Sequence, residues 1–262
     1  MLPAAYRAAR HVFLTLHFRR DYRRFQQLLS DAEKVGAPKR FDMRWADRWP
    51  CLYERHATIR FEPHYTYHPA WAARVLAQTR PHRHVDIGSA LPFVTILSAF
   101  VPIDYYEWRP PQLKLSGLVC HHANLLSLPF GSDSLPSLSC MHTIEHVGLG
   151  RYGDPVDVNG DLKAINELKR VLAPNGDLLF VVPIGRKAEI LFNAQRTYSY
   201  NVVMDAFSDL ILHEFALILE DGSGIVDHDE AKQRVQDQKQ GCGCFWFRKA
   251  VSTSSAAIVG NA

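Results

Sequence analysis

Across its 262 residues the chain has no apolar run approaching the roughly 18 residues a membrane span requires. The nearest, Leu91 to Pro102, is too short and carries two prolines. The first apolar stretch is broken by His11, His17 and a cluster of arginines, so no secretory leader is expected. Cysteine is sparse: Cys51, Cys120, Cys140, Cys242 and Cys244 are odd in number and scattered. That set suits reduced thiols of a cytoplasmic protein better than a disulfide framework. Net charge is also small, 30 basic against 27 acidic residues for +3. With a pI near 8.6 and no recognised reader motif, no nucleic-acid partner is expected. No internal repeat is visible. What the chain does have is apolar content, 47% of residues, enough for a sizeable core.

The modest net charge is unevenly spread. Between Met1 and Arg44 there are ten basic residues and four acidic ones. Tyr6, Phe13, Leu16, Tyr22, Phe25, Leu28 and Leu29 recur there at spacings that predict one or two amphipathic helices. Such stripes are usually packing faces, so a helical cap over the main core is expected, with peripheral membrane or protein contact as the alternative. Residues 1–50 are therefore read as a basic helical extension, 51–250 as the main domain and 251–262 as a disordered Ser/Ala-rich tail.

From about His82 short apolar runs alternate with helical segments. Arg83–Ile87, Ile103–Glu107, Leu118–His121, Leu138–Met141 and Asp177–Val182 read as strands. A helix is expected from the turn at Gly88-Ser89-Ala90 to about Phe100, and a second over Asp161–Val171, where apolar residues recur at helical spacing and Asp161 is placed to cap. Pro174-Asn175-Gly176 is a turn signal, and His68-Pro69 reads as a helix start. Apolar strands separated by helices predict an α/β fold whose doubly wound, mostly parallel sheet is covered on both faces.

Chemistry-bearing residues follow the predicted strand ends, where such sheets bind ligands. Asp86 precedes a turn in which Gly88, and the small Ser89 and Ala90, allow close approach of a ligand; Asp86 itself could orient a cationic ligand group. Glu107 could accept both hydroxyls of a ribose, and Asn124-Leu125 could meet an adenine amino group. The ordered series Asp86-Ile87-Gly88, Glu107, Asn124, Leu128-Pro129-Phe130, Ser139–His142, Glu145-His146 and Pro174-Asn175-Gly176 resembles the class I S-adenosylmethionine-dependent methyltransferases over roughly residues 82–222. That resemblance implies a Rossmann-like seven-stranded sheet. It also implies S-adenosyl-L-methionine as cofactor, held by Asp86, Gly88, Ser89, Glu107, Asn124, Leu125 and His142. The chain departs from the family in having one loop glycine where two or three are usual. A degraded, non-catalytic binding or scaffold protein is therefore the first alternative.

Residues 142–155 hold the densest polar set. Glu145-His146-Val147-Gly148-Leu149-Gly150-Arg151-Tyr152-Gly153-Asp154 looks like the hallmark of a methyltransferase-like family known as domain of unknown function 268, as do Tyr67-His68-Pro69-Ala70-Trp71 and Gly241–Lys249. This resemblance suggests a small-molecule or glycan-related acceptor and a link to polysaccharide biosynthesis. A hydroxyl acceptor would benefit from a near-neutral base, so His146 and Glu145 are the catalytic candidates. Arg151, Tyr152 and Asp154 are the substrate-binding candidates, Arg151 because its fork suits carboxylate or phosphate; the bland reading pairs it with Asp154 or Asp157. Tyr65, Tyr67 and Trp71 could line a pocket, core packing being the safer expectation for Trp71. A second alternative takes His142-Thr143-Ile144-Glu145-His146 as the His-x-x-Glu-His of an inverted zinc peptidase, with Glu220 as third ligand. That needs a helix, which Gly148, Gly150 and Gly153 penalise. Cys242 and Cys244 are one residue apart, not zinc spacing, and are expected in a final strand; no metal ligand is assigned.

Overall fold

A computed structural model describes residues 4–54 and 58–251. The chain forms two compact units, residues 1–61 and 62–262. The first is built on one helix, α1 (Ala4–Lys34), followed by a short turn at Trp45–Asp47 whose Trp45 ring meets Tyr22 edge-on at 4.8 Å. Of the tail expected to be disordered, 251–262, all but Val251 lies outside the described residues. Among the described residues no helix is long and apolar enough to cross a membrane.

The second unit opens with α2 (Pro63–Thr79). Its start lies six residues before the Pro69 expected to open it, because the Glu62 side chain accepts the Tyr65 N–H at 2.6 Å and Pro63 takes the first turn. The chain then runs β1 (His84–Ile87), α3 (Leu91–Leu97), β2 (Ile103–Glu107), β3 (Leu118–His122), β4 (Leu135–Met141), α4 (Gly160–Val171) and β5 (Leu172–Ile184). It continues through β6 (Glu189–Leu191), β7 (Gln195–Thr197), α5 (Tyr200–Ala206), β8 (Ile211–Ile218), β9 (Ile225–Asp227), α6 (His228–Arg234) and β10 (Gly241–Arg248). The main sheet has the order β3-β2-β1-β4-β5-β10-β8-β9. Strands β1 to β5 are parallel, and β10 enters antiparallel between β5 and β8. Seven strands thus form the expected doubly wound sheet, and the short β9 adds an eighth at its edge. The β6–β7 hairpin stands apart.

Alternation along β5 explains the layering. Leu178, Phe180 and Val182 face the side packed with Ala164, Ile165, Leu168 and Val171 of α4. Leu179 and Val181 face the other side, with Trp71, Val75 and Leu76 of α2 and Phe93, Val94 and Leu97 of α3. With both faces covered, side-chain period two yields a near-continuous apolar run. The Pro174-Asn175-Gly176 turn is present but swallowed by the strand. The β4–β5 register steps from Leu135–Leu172 to Ser137–Asp177, and Asn175 takes φ +61°. Asp161 does not cap α4; its carboxylate accepts the Tyr198 hydroxyl at 3.0 Å and lies 3.5 Å from Arg196.

Candidate functional site

Strand order reverses between β1 and β4, and loops leaving their carboxyl ends separate there to leave a crevice. Gly88 leaves β1 at φ +71°, a conformation costly for any residue with a Cβ. A Cβ at Gly88 would stand 2.6 Å from Thr143 Cγ2, so glycine is required by space as well as by backbone. Beside it opens a cavity of about 460 Å3 walled by Gly88, Tyr106, Glu107, Asn124, Leu125 and Leu126. Its volume lies within the usual range for small-ligand sites.

Two of the expected cofactor ligands lie beneath this cavity instead of on it. Asp86 is fully buried. Its Oδ1 accepts the Ser89 N–H at 3.0 Å and its Oδ2 the Ser139 hydroxyl. Ser139 in turn meets His84 Nε2 at 2.8 Å, while His84 Nδ1 meets Ser137 at 2.7 Å. Burial pushes Asp86 up to about 6 and His84 down to about 3. The Ser89 carbonyl accepts the Tyr105 hydroxyl at 3.1 Å, and its own hydroxyl accepts the Met141 N–H. The pair Asp86 and Ser89 therefore shapes the glycine turn from below, and the direct ligand contact expected of them is corrected: their polar groups are committed and neither lines the cavity.

Glu107 does line it, half-buried. Its Oε1 accepts the Arg109 N–H at 3.3 Å and its Oε2 the Tyr105 hydroxyl at a long 3.5 Å, both weak enough to leave acceptor capacity. Asn124 is exposed and its Oδ1 accepts the Leu126 N–H at 3.0 Å, which turns the chain so that Leu125 and Leu126 floor the apolar end.

A second cavity of about 490 Å3 adjoins the first and shares Gly88, His142, His146 and Tyr152 with it. Its other walls are mostly polar, including Glu62, Arg151, Gln195 and Gln240. Residues 142–146 are not α-helical. His142 leaves β4 at φ +54°, and only Ile144–His146 makes a 3-10 turn. The helix a His-x-x-Glu-His zinc site needs is absent, and Glu220 is engaged by the Lys239 and Gln240 N–H groups at 2.7 Å. His146 Nδ1 lies 2.8 Å from the Ala194 carbonyl, so it donates there and leaves Nε2 as the basic nitrogen. Burial draws the His146 pKa below its ordinary value. Glu145 is 1% exposed; its Oε1 faces His142 Nδ1 at 2.8 Å and His146 Nε2 at 3.8 Å.

The loop after His146 is tied by Asp154, whose carboxylate accepts the Gly148, Gly150 and Tyr152 N–H groups. Asp154 lines the first cavity but spends its oxygens on the loop, a correction to its expected role on substrate. Gly148 packs so tightly that a Cβ would lie 2.2 Å from the Asp157 carbonyl. Arg151 pairs with neither Asp154 nor Asp157; it donates to the Ala194 carbonyl at 2.9 Å beside His146. Tyr152 lies within 5.1 Å of both the Arg109 and Arg151 guanidinium carbons, which brings the loops after β2 and β4 together at the cavity mouth. Tyr65 lines the polar cavity and stacks on His142 at 5.2 Å, whereas Trp71 is buried in the core with its N–H on Glu214. His64, Trp108, Arg109 and Gln240 went unnoticed in the sequence. The glycine-turn and strand-end signals do not reach them; only the acid at the end of β2 hinted that its following loop would matter.

Residues 132–207 match the family model DUF268, described as Caenorhabditis protein of unknown function. No curated protein matches the chain in sequence. Among solved structures, the chain is similar to a candidate sarcosine dimethylglycine methyltransferase from Galdieria sulphuraria. There the TM-score is 0.51 at 16% identity, over 70% of this chain and 85% of that one. It is also similar to the N-methyltransferase NodS of Bradyrhizobium japonicum WM9, determined with S-adenosyl-L-homocysteine. That match has a TM-score of 0.48 at 14% identity, over 72% and 88% of the two chains. The fold is that of the class I S-adenosylmethionine-dependent methyltransferases.

Proposed function

We propose that the chain is an S-adenosylmethionine-dependent methyltransferase acting on a hydroxyl of a small-molecule or glycan-related acceptor. The observation that carries this reading is the pair of adjoining cavities at the strand-order reversal, one part apolar with a carboxylate, the other polar, meeting at Gly88, His142, His146 and Tyr152. Glu107 and Gly88 share the first cavity, where a ribose diol could be accepted by the one while a chain slips past the backbone of the other. The apolar floor at Leu125 and Leu126 suits a nucleobase. Bound there, the cofactor supplies a methyl group made electrophilic by its sulfonium.

The chain's own contribution is then mostly placement, which can supply about 7–11 kcal/mol of a barrier. The polar walls Glu62, Gln195 and Gln240 favour a hydroxyl-rich acceptor. His146, neutral through burial and fixed in tautomer by Ala194, holds Nε2 ready to take the hydroxyl proton. Glu145 beside it favours the imidazolium that results. Arg151 donates to the same Ala194 carbonyl beside that ring and offers its remaining donors to an anionic acceptor group.

Titration calorimetry of the folded chain with S-adenosylmethionine and S-adenosylhomocysteine tests the reading directly. Saturable binding of both is expected; a well-folded protein that takes up neither removes it.

A further inference from the structure

One partly buried constellation lies beside the groups assigned to methyl transfer and shares His142 with the wall of their cavities. His64 from the start of α2, His142 from the end of β4 and Cys242 from β10 bring three metal-binding atoms within 4.8 Å of one another. Each comes from a different part of the chain, and the backbone holds them there: His142 sits in the left-handed region at φ +54°, a strain of the kind that gathers at functional sites. We infer that His64, His142 and Cys242 form a binding site for a zinc-type divalent transition metal, at the floor of the polar cavity.

One of the three separations is already the one a bound metal would set, and the whole group spans no more than 4.8 Å. A tetrahedral ion with bonds of about 2.1 Å to nitrogen and 2.3 Å to sulfur keeps such donors roughly 3.3–3.7 Å apart. His142 Nε2 and Cys242 Sγ already stand 3.3 Å apart. The other nitrogen of His142 has the partner that metal-binding imidazoles characteristically have, a carboxylate: Glu145 Oε1 at 2.8 Å. His64 brings a second imidazole to the group. Its ring stacks on His142 with centroids 5.6 Å apart, which sets the two imidazoles side by side.

Glu145 supplies an independent indication. It is 1% exposed, its Oε2 is buried with no hydrogen-bond partner, and among the described residues only His142 and His146 pair with it. A buried carboxylate without lysine or arginine is costly unless positive charge lies nearby. A divalent ion on the far nitrogen of His142 provides that charge through the ring. Two imidazoles and a thiolate favour zinc or a neighbouring transition metal over magnesium or calcium, which take oxygen. Three protein ligands also leave the fourth position open. His64 and His142 line the polar cavity while Cys242 is buried behind it, so that position faces the cavity and can take an acceptor hydroxyl or thiol.

The inference stands apart from cofactor binding, because its readout is the metal itself. The full chain is loaded with Zn2+ or Co2+, desalted, and assayed for metal content and for affinity against a chromophoric chelator. One equivalent is expected, with a thiolate-to-cobalt charge-transfer band in the Co2+ form. Cys242→Ser should abolish the band and weaken Zn2+ at least tenfold. Glu145→Gln, which touches His142 but not the ion, should weaken it about 10- to 100-fold. Folded wild-type protein that retains no metal, or a Co2+ form without the thiolate band, overturns the site. So does a folded Cys242→Ser variant that binds Zn2+ as tightly as wild type.

Discussion

Gly88→Ala is the substitution whose cost can be worked most fully. The backbone there holds φ +71°, where a Cβ meets the following carbonyl at a cost of roughly 1–2 kcal/mol. The new methyl would also stand 2.6 Å from Thr143 Cγ2 and 3.0 Å from its Oγ1. Overpacking of one methyl in a tight site adds about 1–3 kcal/mol. The sum, about 2–5 kcal/mol, should be measurable in urea unfolding of the α/β unit. Thr143→Ala removes both close atoms and leaves only Cβ, at an ordinary 3.4 Å. It gives up one long hydrogen bond, Thr143 Oγ1 to the Met141 carbonyl at 3.2 Å, for about 1 kcal/mol.

The double variant should therefore recover the overlap portion but not the backbone portion. A coupling energy of about 1–3 kcal/mol is expected from the four-protein cycle. Strict additivity would show that Gly88 and Thr143 do not meet as described. A Gly88→Ala variant as stable as wild type would refute both halves of the reasoning.

Three further outcomes are expected. Glu107→Gln removes a charge from the first cavity without disturbing a strong internal bond, so S-adenosylhomocysteine affinity should fall about 10- to 100-fold with the unfolding midpoint unchanged; unaltered affinity would dissociate Glu107 from the ligand. His146→Asn should lower kcat about 100- to 10,000-fold once an acceptor is in hand, with cofactor affinity intact by calorimetry. A loss in KM alone would make His146 a binding group. His84, pushed down to about 3 by burial, contributes stability that is full above its unfolded pKa near 6.5 and is lost as pH falls toward 3. Asp86, raised to about 6, acts oppositely: its burial penalty is relieved as pH falls from about 6 to 4. Replacing His84 by Gln removes only the first effect, so the variant should gain stability relative to wild type between pH 6 and 4. Parallel pH profiles in urea titrations would count against a neutral His84 in the fold.

Much of the fold was legible because both of its signals are local. Apolar runs at β1 and β5 betrayed strands buried on both faces, and Leu162–Leu172 carried a helical period. Edge strand β9 was not legible, since three residues, Ile225–Asp227, gain their identity only by pairing with β8. The start of α2 was misplaced because Pro69 looks like an opening proline. A helix already capped by Glu62 carries it inside. At the site, sequence order singled out Gly88 and Glu107, which line one cavity, but could not say which polar groups had spare bonding capacity. Asp86 and Asp154 look like ligands in one dimension. In three, their oxygens are occupied by Ser89 and Ser139, and by the loop N–H groups.

The single loop glycine, which argued for a degraded site, has a different meaning in three dimensions. What a ligand needs from that turn is a backbone that bends sharply and a surface with no side chain on it. One glycine meets both needs here because Asp86, Ser89 and Tyr105 hold the turn from beneath through bonds to Ser89. Ser89 can carry a Cβ, since its side chain points into the protein, 2% exposed and bonded to the Met141 N–H, away from the cavity. The glycine count is therefore a poor measure of whether such a cavity is open. The relevant quantity is which residues face it: of Gly88, Ser89 and Ala90 the first lines this cavity, joined by Leu91 at the start of α3. Ser89→Gly should accordingly leave S-adenosylhomocysteine affinity within about twofold while lowering stability by about 1–3 kcal/mol through the lost hydroxyl and a freer unfolded chain. A tighter-binding Ser89→Gly variant would mean that the missing glycines do limit the site.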